Sequence, residues 1–159
     1  PYLGICLGMQ IAVIEFARHV CGLADANSGE FSKTSAHKII DFLPDQSETI
    51  DKGATLRLGA YPCHILPGTR MHECYGCDEI RERHRHRYEF NNSFREEIEN
   101  KGMAITGTSP TGELVETVEI PEHPFYIGVQ FHPEFKSRPN RAHPLFKAFV
   151  AASLKRSKK

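Results

Sequence analysis

The chain has 159 residues, 40% hydrophobic and 25% charged, and its 20 lysines and arginines are matched by 20 aspartates and glutamates. This is the composition of one folded domain able to bury a core, and it has no net field to draw it to nucleic acid or an acidic membrane surface. No stretch approaches the roughly 18 consecutive apolar residues of a membrane span and no signal-peptide pattern is present, so no membrane partner is expected and the cytoplasm is the expected compartment.

Tyr2 to Ile5 predicts a short apolar strand. After Cys6, the residues Leu7, Ile11, Ile14, Phe16 and Ala17 recur near helical spacing to about Val20. Asp25 to Lys38 is polar and turn-rich, a surface loop of the kind that carries function. Ile39 to Leu43 predicts a strand, and Thr55 to Tyr61 another, paired through Gly59 with Cys63 to Leu66, so the middle of the chain reads as β-rich. Arg85 to Phe90 reads as extended, and Asn92 as the N-cap of a short helix carrying Phe94 and Ile98 and closed by Gly102. Met103 to Thr108 and Glu113 to Ile120 predict strands around the Pro110 to Gly112 turn, followed by a buried-type strand from Tyr126 to Phe131. A last helix begins at Pro144 with Leu145, Phe149 and Ala152 on one side. Residues 1–150 read as one mixed α/β domain with an added antiparallel layer, and 151–159 as a basic, frayed and solvated tail.

Cys6, Cys21, Cys63, Cys74 and Cys77 are an odd set, better read as free thiols or a nucleophile than as a disulfide framework. In GICLGMQ, Cys6 falls between strand and helix with Gly4 and Gly8 on either side, where a side chain would crowd a sharp turn. A thiol there gains from the helix N-terminus, which predicts a lowered pKa and a thiolate at neutral pH. The competing reading is a small buried hydrophobe, as most free cysteines are, and a partner base has to decide. GVQFHPEF offers one: a buried-type strand delivers His132 just past its end, with Glu134 two residues on to orient the imidazole.

GICLGMQ and VQFHPEF together resemble the nucleophile and acid–base motifs of the class I (triad) glutamine amidotransferases. DANSGEF (Asp25 to Phe31), LRLG (Leu56 to Gly59) and ERHRHRYEFNN (Glu82 to Asn92) narrow the resemblance to the amidotransferase domains of CTP synthases, over Pro1 to about Phe149. It implies a flavodoxin-like α/β domain that hydrolyses L-glutamine through a glutamyl thioester and passes ammonia to a synthetase domain. In that family the synthetase domain converts UTP to CTP with ATP and Mg²⁺, GTP activates, and the enzyme is a cytoplasmic homotetramer. By resemblance Cys6 is the nucleophile, His132 the general base and acid, Glu134 its orienting carboxylate, and the Leu7 amide an oxyanion donor. Gln10, Glu30 and Arg87 match glutamine-binding positions. Their chemistry suits a zwitterion: Glu30 for the ammonium, Arg87 for the carboxylate. No cofactor is expected within these residues.

Gly29 departs from the family pattern, which has threonine beside the glutamate. The chain also opens on the nucleophile strand, so the earlier part of the domain, with a second oxyanion amide, and the synthetase domain are expected upstream, and the 159 residues alone are expected to be inactive. Other readings stay open at this point. The Glu82 to Tyr88 run also reads as a solvated basic face, and Cys74 and Cys77 with His72, His84 and His86 supply enough soft and imidazole ligands for a structural zinc site. The amidotransferase of another biosynthetic pathway, or a γ-glutamyl peptidase, would share the cysteine and histidine motifs but not the ERHRHRYEFN run.

Overall fold

In the computed structural model, which describes residues 1–42 and 56–158, the opening apolar run forms β1 (Tyr2–Ile5), and α1 (Leu7–His19) follows after a single residue. β9 (Tyr126–Val129) lies parallel to β1, in register from Tyr2 opposite Tyr126 to Ile5 opposite Val129. From β9 the sheet continues antiparallel through β8 (Val115–Glu119), β7 (Ala104–Thr108), β4 (Arg57–Ile65) and β5 (Glu79–His86). A smaller sheet holds β2 (Asn27–Ser28), β3 (Lys38–Asp41) and β6 (Glu89–Phe90) in that order. The helices are α1, α2 (Arg70–Tyr75), α3 (Arg95–Asn100) and α4 (Pro144–Ser157). None is long and apolar enough to cross a membrane.

Two apolar clusters hold the layers together. The buried side of α1, with Met9, Val13, Phe16 and Ala17, packs with Ile39, Ile40, Phe90, Ile105 and Val118. Ile127, Val129 and Phe131 face the other cluster, with Met71 and Leu145. Each of these side chains larger than alanine contributes about 1.5–3 kcal/mol by leaving water. Between Ile127 and Val129, Gly128 turns toward α1, where a Cβ would lie 2.8 Å from Val118 and 3.0 Å from Met9. That bare backbone lets α1 seat close to the paired strands and so fixes the height of its N-terminus.

Five expectations are corrected. Arg57 to Ile65 is one strand paired along its length with β5, not a hairpin through Gly59. Gly59 has φ 110 but no companion turn residue, and a lone glycine bends a strand without reversing it. The extended stretch read from Arg85 begins at Glu79. The β-rich middle contains α2, capped by the Thr69 hydroxyl accepting from the His72 amide at 3.2 Å and ended by Gly76 at φ 70. Asn91, not Asn92, caps the turn ahead of α3, its side chain accepting from the Ser93 amide. The C-terminal basic residues continue α4 to Ser157, where Lys155 and Arg156 face the negative end of the helix dipole. Leu43 and Thr55, at the ends of two predicted strands, lie outside the described residues.

Candidate active site

Cys6 joins β1 to α1 at φ 52 and ψ −107, the only positive φ at a non-glycine among the described residues. Such backbone costs on the order of 1–3 kcal/mol and persists only where its surroundings impose it. Here the Cys6 amide donates to the Val129 carbonyl at 2.7 Å, and the Tyr2 hydroxyl donates to the Gly8 carbonyl at 2.8 Å. A Cβ on Gly4 would lie 2.8 Å from the Gly8 carbonyl carbon, so the close approach belongs to Gly4. Gly8 was expected to be equally crowded; a Cβ there would meet only the Tyr2 hydroxyl, at 3.9 Å.

The thiol itself departs from expectation. Burial pushes it above its ordinary range, outweighing the Leu7 amide and the Gln130 carboxamide, which favour the thiolate; the charges of Glu134 and Glu89 push with burial. The first turn of α1 has no acidic residue and its Leu7 amide favours the thiolate, yet desolvation of the sulfur is the larger effect. Forming the thiolate therefore requires a base to take the proton.

His132 leaves the chain just beyond β9, beside the end of β1 that carries Cys6, so the two groups emerge from the carboxyl ends of adjacent parallel strands. Its amide donates to the Arg83 carbonyl at 2.8 Å, and its Nδ1 lies 2.6 Å from Glu134 Oε1 on the 3₁₀ turn Pro133–Lys136. With Nδ1–H donated to the carboxylate, Nε2 carries the lone pair, and this nitrogen is buried without a hydrogen-bond partner. It makes no hydrogen bond to Cys6 Sγ, a contact that catalytic pairs often close only around substrate.

The sequence reading passed over Gln130. Wholly buried, it donates from Nε2 to Cys6 Sγ at 3.6 Å and accepts at Oε1 from Gln10 Nε2 at 3.0 Å; Gln10 also donates to the Tyr88 carbonyl at 3.1 Å. A polar residue inside the apolar run YIGVQF was its available signal.

Beside Cys6 opens a cleft of roughly 400 Å³ that draws together Cys6, Leu7, Gln10, Glu30 and Arg87. His132 and Glu134 are not on its lining. Glu30 and Arg87 are exposed, and neither is paired with another charge among the described residues. The Glu30 amide donates to the Ser28 hydroxyl at 3.1 Å, which fixes the loop after β2. A Cβ on Gly29 would lie 3.1 Å from the Asp41 carboxyl carbon, so the absence of threonine there matches a tight contact with β3.

Beneath the cleft, Arg57 lies between two buried glutamates, 2.9 Å from Glu116 and 3.5 Å from Glu89. His86 donates from Nδ1 to the Tyr88 carbonyl at 3.1 Å and accepts at Nε2 from His84 at 2.9 Å, an arrangement of two neutral rings. Burial, reinforced by Arg57, holds His84 down at about 2 and His86 at about 3. Burial raises both carboxyls, Glu89 to about 8, because one guanidinium neutralises only one of them. In the unfolded chain Glu89 ionises near pH 4.5, so between there and about 8 the folded state binds the extra proton and stability falls as pH rises. Near pH 6.5 the unfolded imidazoles of His84 and His86 are still about half charged and oppose this fall, so urea unfolding should show it undiluted only from about pH 7.5 to 8, as a loss of at most about 1 kcal/mol per pH unit. Glu89→Gln should flatten that slope; an unchanged slope would refute the assignment.

The residues of the zinc reading are not brought together. His72 pairs with Asp78 at 2.9 Å, Cys77 donates to the Glu79 carbonyl, burial raises Cys74 to about 11, and His84 and His86 are buried at the far end of β5. Among the described residues no group of three or more His, Cys, Asp or Glu could hold a metal ion.

A cysteine on a strand-to-helix elbow with a histidine–carboxylate pair just past the neighbouring parallel strand is an arrangement suited to thiol-based hydrolysis. The chain belongs to the class I glutamine amidotransferases, whose family profile matches residues 1–152. Within that family it is similar to the CTP synthase of Moorella thermoacetica, 60% identical over 157 residues, covering 99% of this chain and 29% of the relative. It is also 60% identical over 158 residues to the CTP synthase of Carboxydothermus hydrogenoformans, covering 99% of this chain and 30% of the relative. The chain thus spans under a third of the length of these relatives. Among solved structures, the glutaminase domain of Trypanosoma brucei CTPS with bound acivicin superposes with a TM-score of 0.91 at 41% identity, over 98% of this chain and 60% of that one. A glutamine amidotransferase of Thermotoga maritima shares the fold at a TM-score of 0.50 and 17% identity, over 99% of this chain and 50% of that one.

Proposed function

We propose that these residues are the glutaminase part of a CTP synthase. The observation that carries this is the cleft itself, which sets the Glu30 carboxylate and the Arg87 guanidinium, the two charges a free α-amino acid requires, beside the sulfur of Cys6. Arg87 binds the α-carboxylate of glutamine and Glu30 its ammonium, with Gln10 on the same wall. Cys6 Sγ attacks the side-chain amide carbon while its proton passes to His132 Nε2, and the Leu7 N–H supports the oxyanion. His132 returns that proton to the departing nitrogen, releasing ammonia and leaving a γ-glutamyl thioester. Water, deprotonated by the same imidazole, then cleaves the thioester to glutamate and restores the thiol.

The CTP synthase relatives favour a synthetase domain as the recipient of the ammonia over the amidotransferase of another pathway or a γ-glutamyl peptidase. In this reading that domain converts UTP to CTP with ATP and Mg²⁺, GTP activates, and the assembly is a cytoplasmic homotetramer. None of the described residues is assigned to hold ATP or Mg²⁺. Replacing Arg87 by alanine in the full protein should raise the KM for glutamine roughly ten- to a hundredfold, the value of one charge-assisted hydrogen-bonded contact. Synthesis from free ammonia should be unchanged, and an equal loss of both activities would overturn the reading.

A further inference from the structure

The turn that carries His132 and Glu134 is anchored at both ends to β5. At its start, the His132 amide donates to the Arg83 carbonyl at 2.8 Å. At its end, Lys136 Nζ reaches back to the Arg81 carbonyl at 2.6 Å and to Glu82 Oε1 at 3.2 Å. Glu82 is 1% exposed, and the same oxygen also receives His143 Nε2 at 3.1 Å and the Tyr75 hydroxyl at 3.2 Å. His143 in turn caps α4, its Nδ1 accepting from the Leu145 amide, while Tyr75 ends α2. One buried carboxylate therefore ties the His132 turn to α2, α4 and β5 at once. Its other oxygen is buried with no hydrogen-bond partner, so the burial is not explained by full satisfaction of the group.

We propose that Glu82 is a positioning residue for the His132–Glu134 pair, holding the turn in place through Lys136. The inference rests on the reading of His132 as the base. The four-residue turn buries Pro133 but places Glu134 and Phe135 at the surface, so beyond Pro133 its position depends on its far end. Released at Lys136, the turn keeps its bond to Arg83 but loses the constraint that sets where the imidazole points. Misplacement of a reacting group by about 1 Å costs up to roughly a hundredfold in rate.

Two variants test this in the full protein. Glu82→Gln keeps an acceptor for Tyr75 and His143 and removes the charge opposite Lys136, leaving its bond to the Arg81 carbonyl; Lys136→Met removes both contacts from a half-exposed side chain and should not disturb folding. Lys136→Met should lower kcat for glutamine hydrolysis by about ten- to a hundredfold and Glu82→Gln by less, both with KM within about twofold. Hydrogen exchange at the Ser137 amide, at the released end of the turn, should quicken, while exchange at the His132 amide, still bonded to the Arg83 carbonyl, changes less. Unaltered turnover and exchange in folded Lys136→Met would overturn the proposal, as would a rise in KM that matches the loss of kcat. Because exchange needs no substrate, slowed turnover of some other amide with quickened exchange would uphold the tether and refute glutamine as substrate.

Discussion

Cys6→Ala is expected to abolish glutamine hydrolysis, by on the order of 10⁶ in kcat if no other group forms the thioester. The elbow itself should survive. Its strained backbone is imposed by the Cys6 amide bond to Val129, the contact of Gly4 on Gly8 and the Tyr2 hydroxyl bond to the Gly8 carbonyl, none of which uses the sulfur. Alanine loses the acceptor for Gln130, whose other end remains bonded to Gln10. Glutamine should therefore still bind, through Glu30 and Arg87, and in the full protein CTP synthesis from free ammonia should persist. Glutamine-dependent turnover in Cys6→Ala would refute the nucleophile, and loss of the ammonia reaction as well would show that Cys6 serves a purpose other than hydrolysis.

The elbow was legible because its signals are local. An apolar run, a cysteine between glycines and a helical repeat sit within the first twenty residues, and the structure places them as strand, turn and helix. The state of the thiol was not legible. The helix N-terminus can be read from sequence, but the burial of the sulfur that raises its pKa, and the charges of Glu134 and Glu89 that add to it, come from the packing of residues distant in the chain. β5 escaped a full reading for a related reason. Its inward positions are Ile80, Glu82, His84 and His86, so the alternation that marks a half-buried strand is written in polar residues. Those residues are tolerated inside because Lys136, Tyr75 and His143 meet Glu82 there, while His84 and His86 bond to each other and to the Tyr88 carbonyl, a set drawn from several elements. α2 is a different case: Thr69 and Gly76 bracket it with ordinary capping chemistry, and a reading attentive to those two positions would have found it.

Removing the imidazole in His132→Leu should lower kcat by about 10²–10⁴, the range for loss of a positioned general base, with little change in KM because His132 is not on the lining of the glutamine cleft. The role of Glu134 follows from the tautomer it enforces. Its Oε1, 2.6 Å from Nδ1, accepts that proton and leaves Nε2 as the basic nitrogen. Glu134→Gln can present its amide nitrogen to Nδ1 instead, donating to it and moving the ring proton to Nε2, where it blocks proton uptake from Cys6. Glu134→Ala removes the partner but imposes no tautomer. The glutamine variant is therefore expected to be slower than the alanine variant, by about tenfold, against the usual rank of a near-isosteric replacement. Glutaminase assays of the two purified variants side by side decide it. If Glu134→Gln is the faster enzyme, the carboxylate acts by charge alone and the tautomer assignment fails.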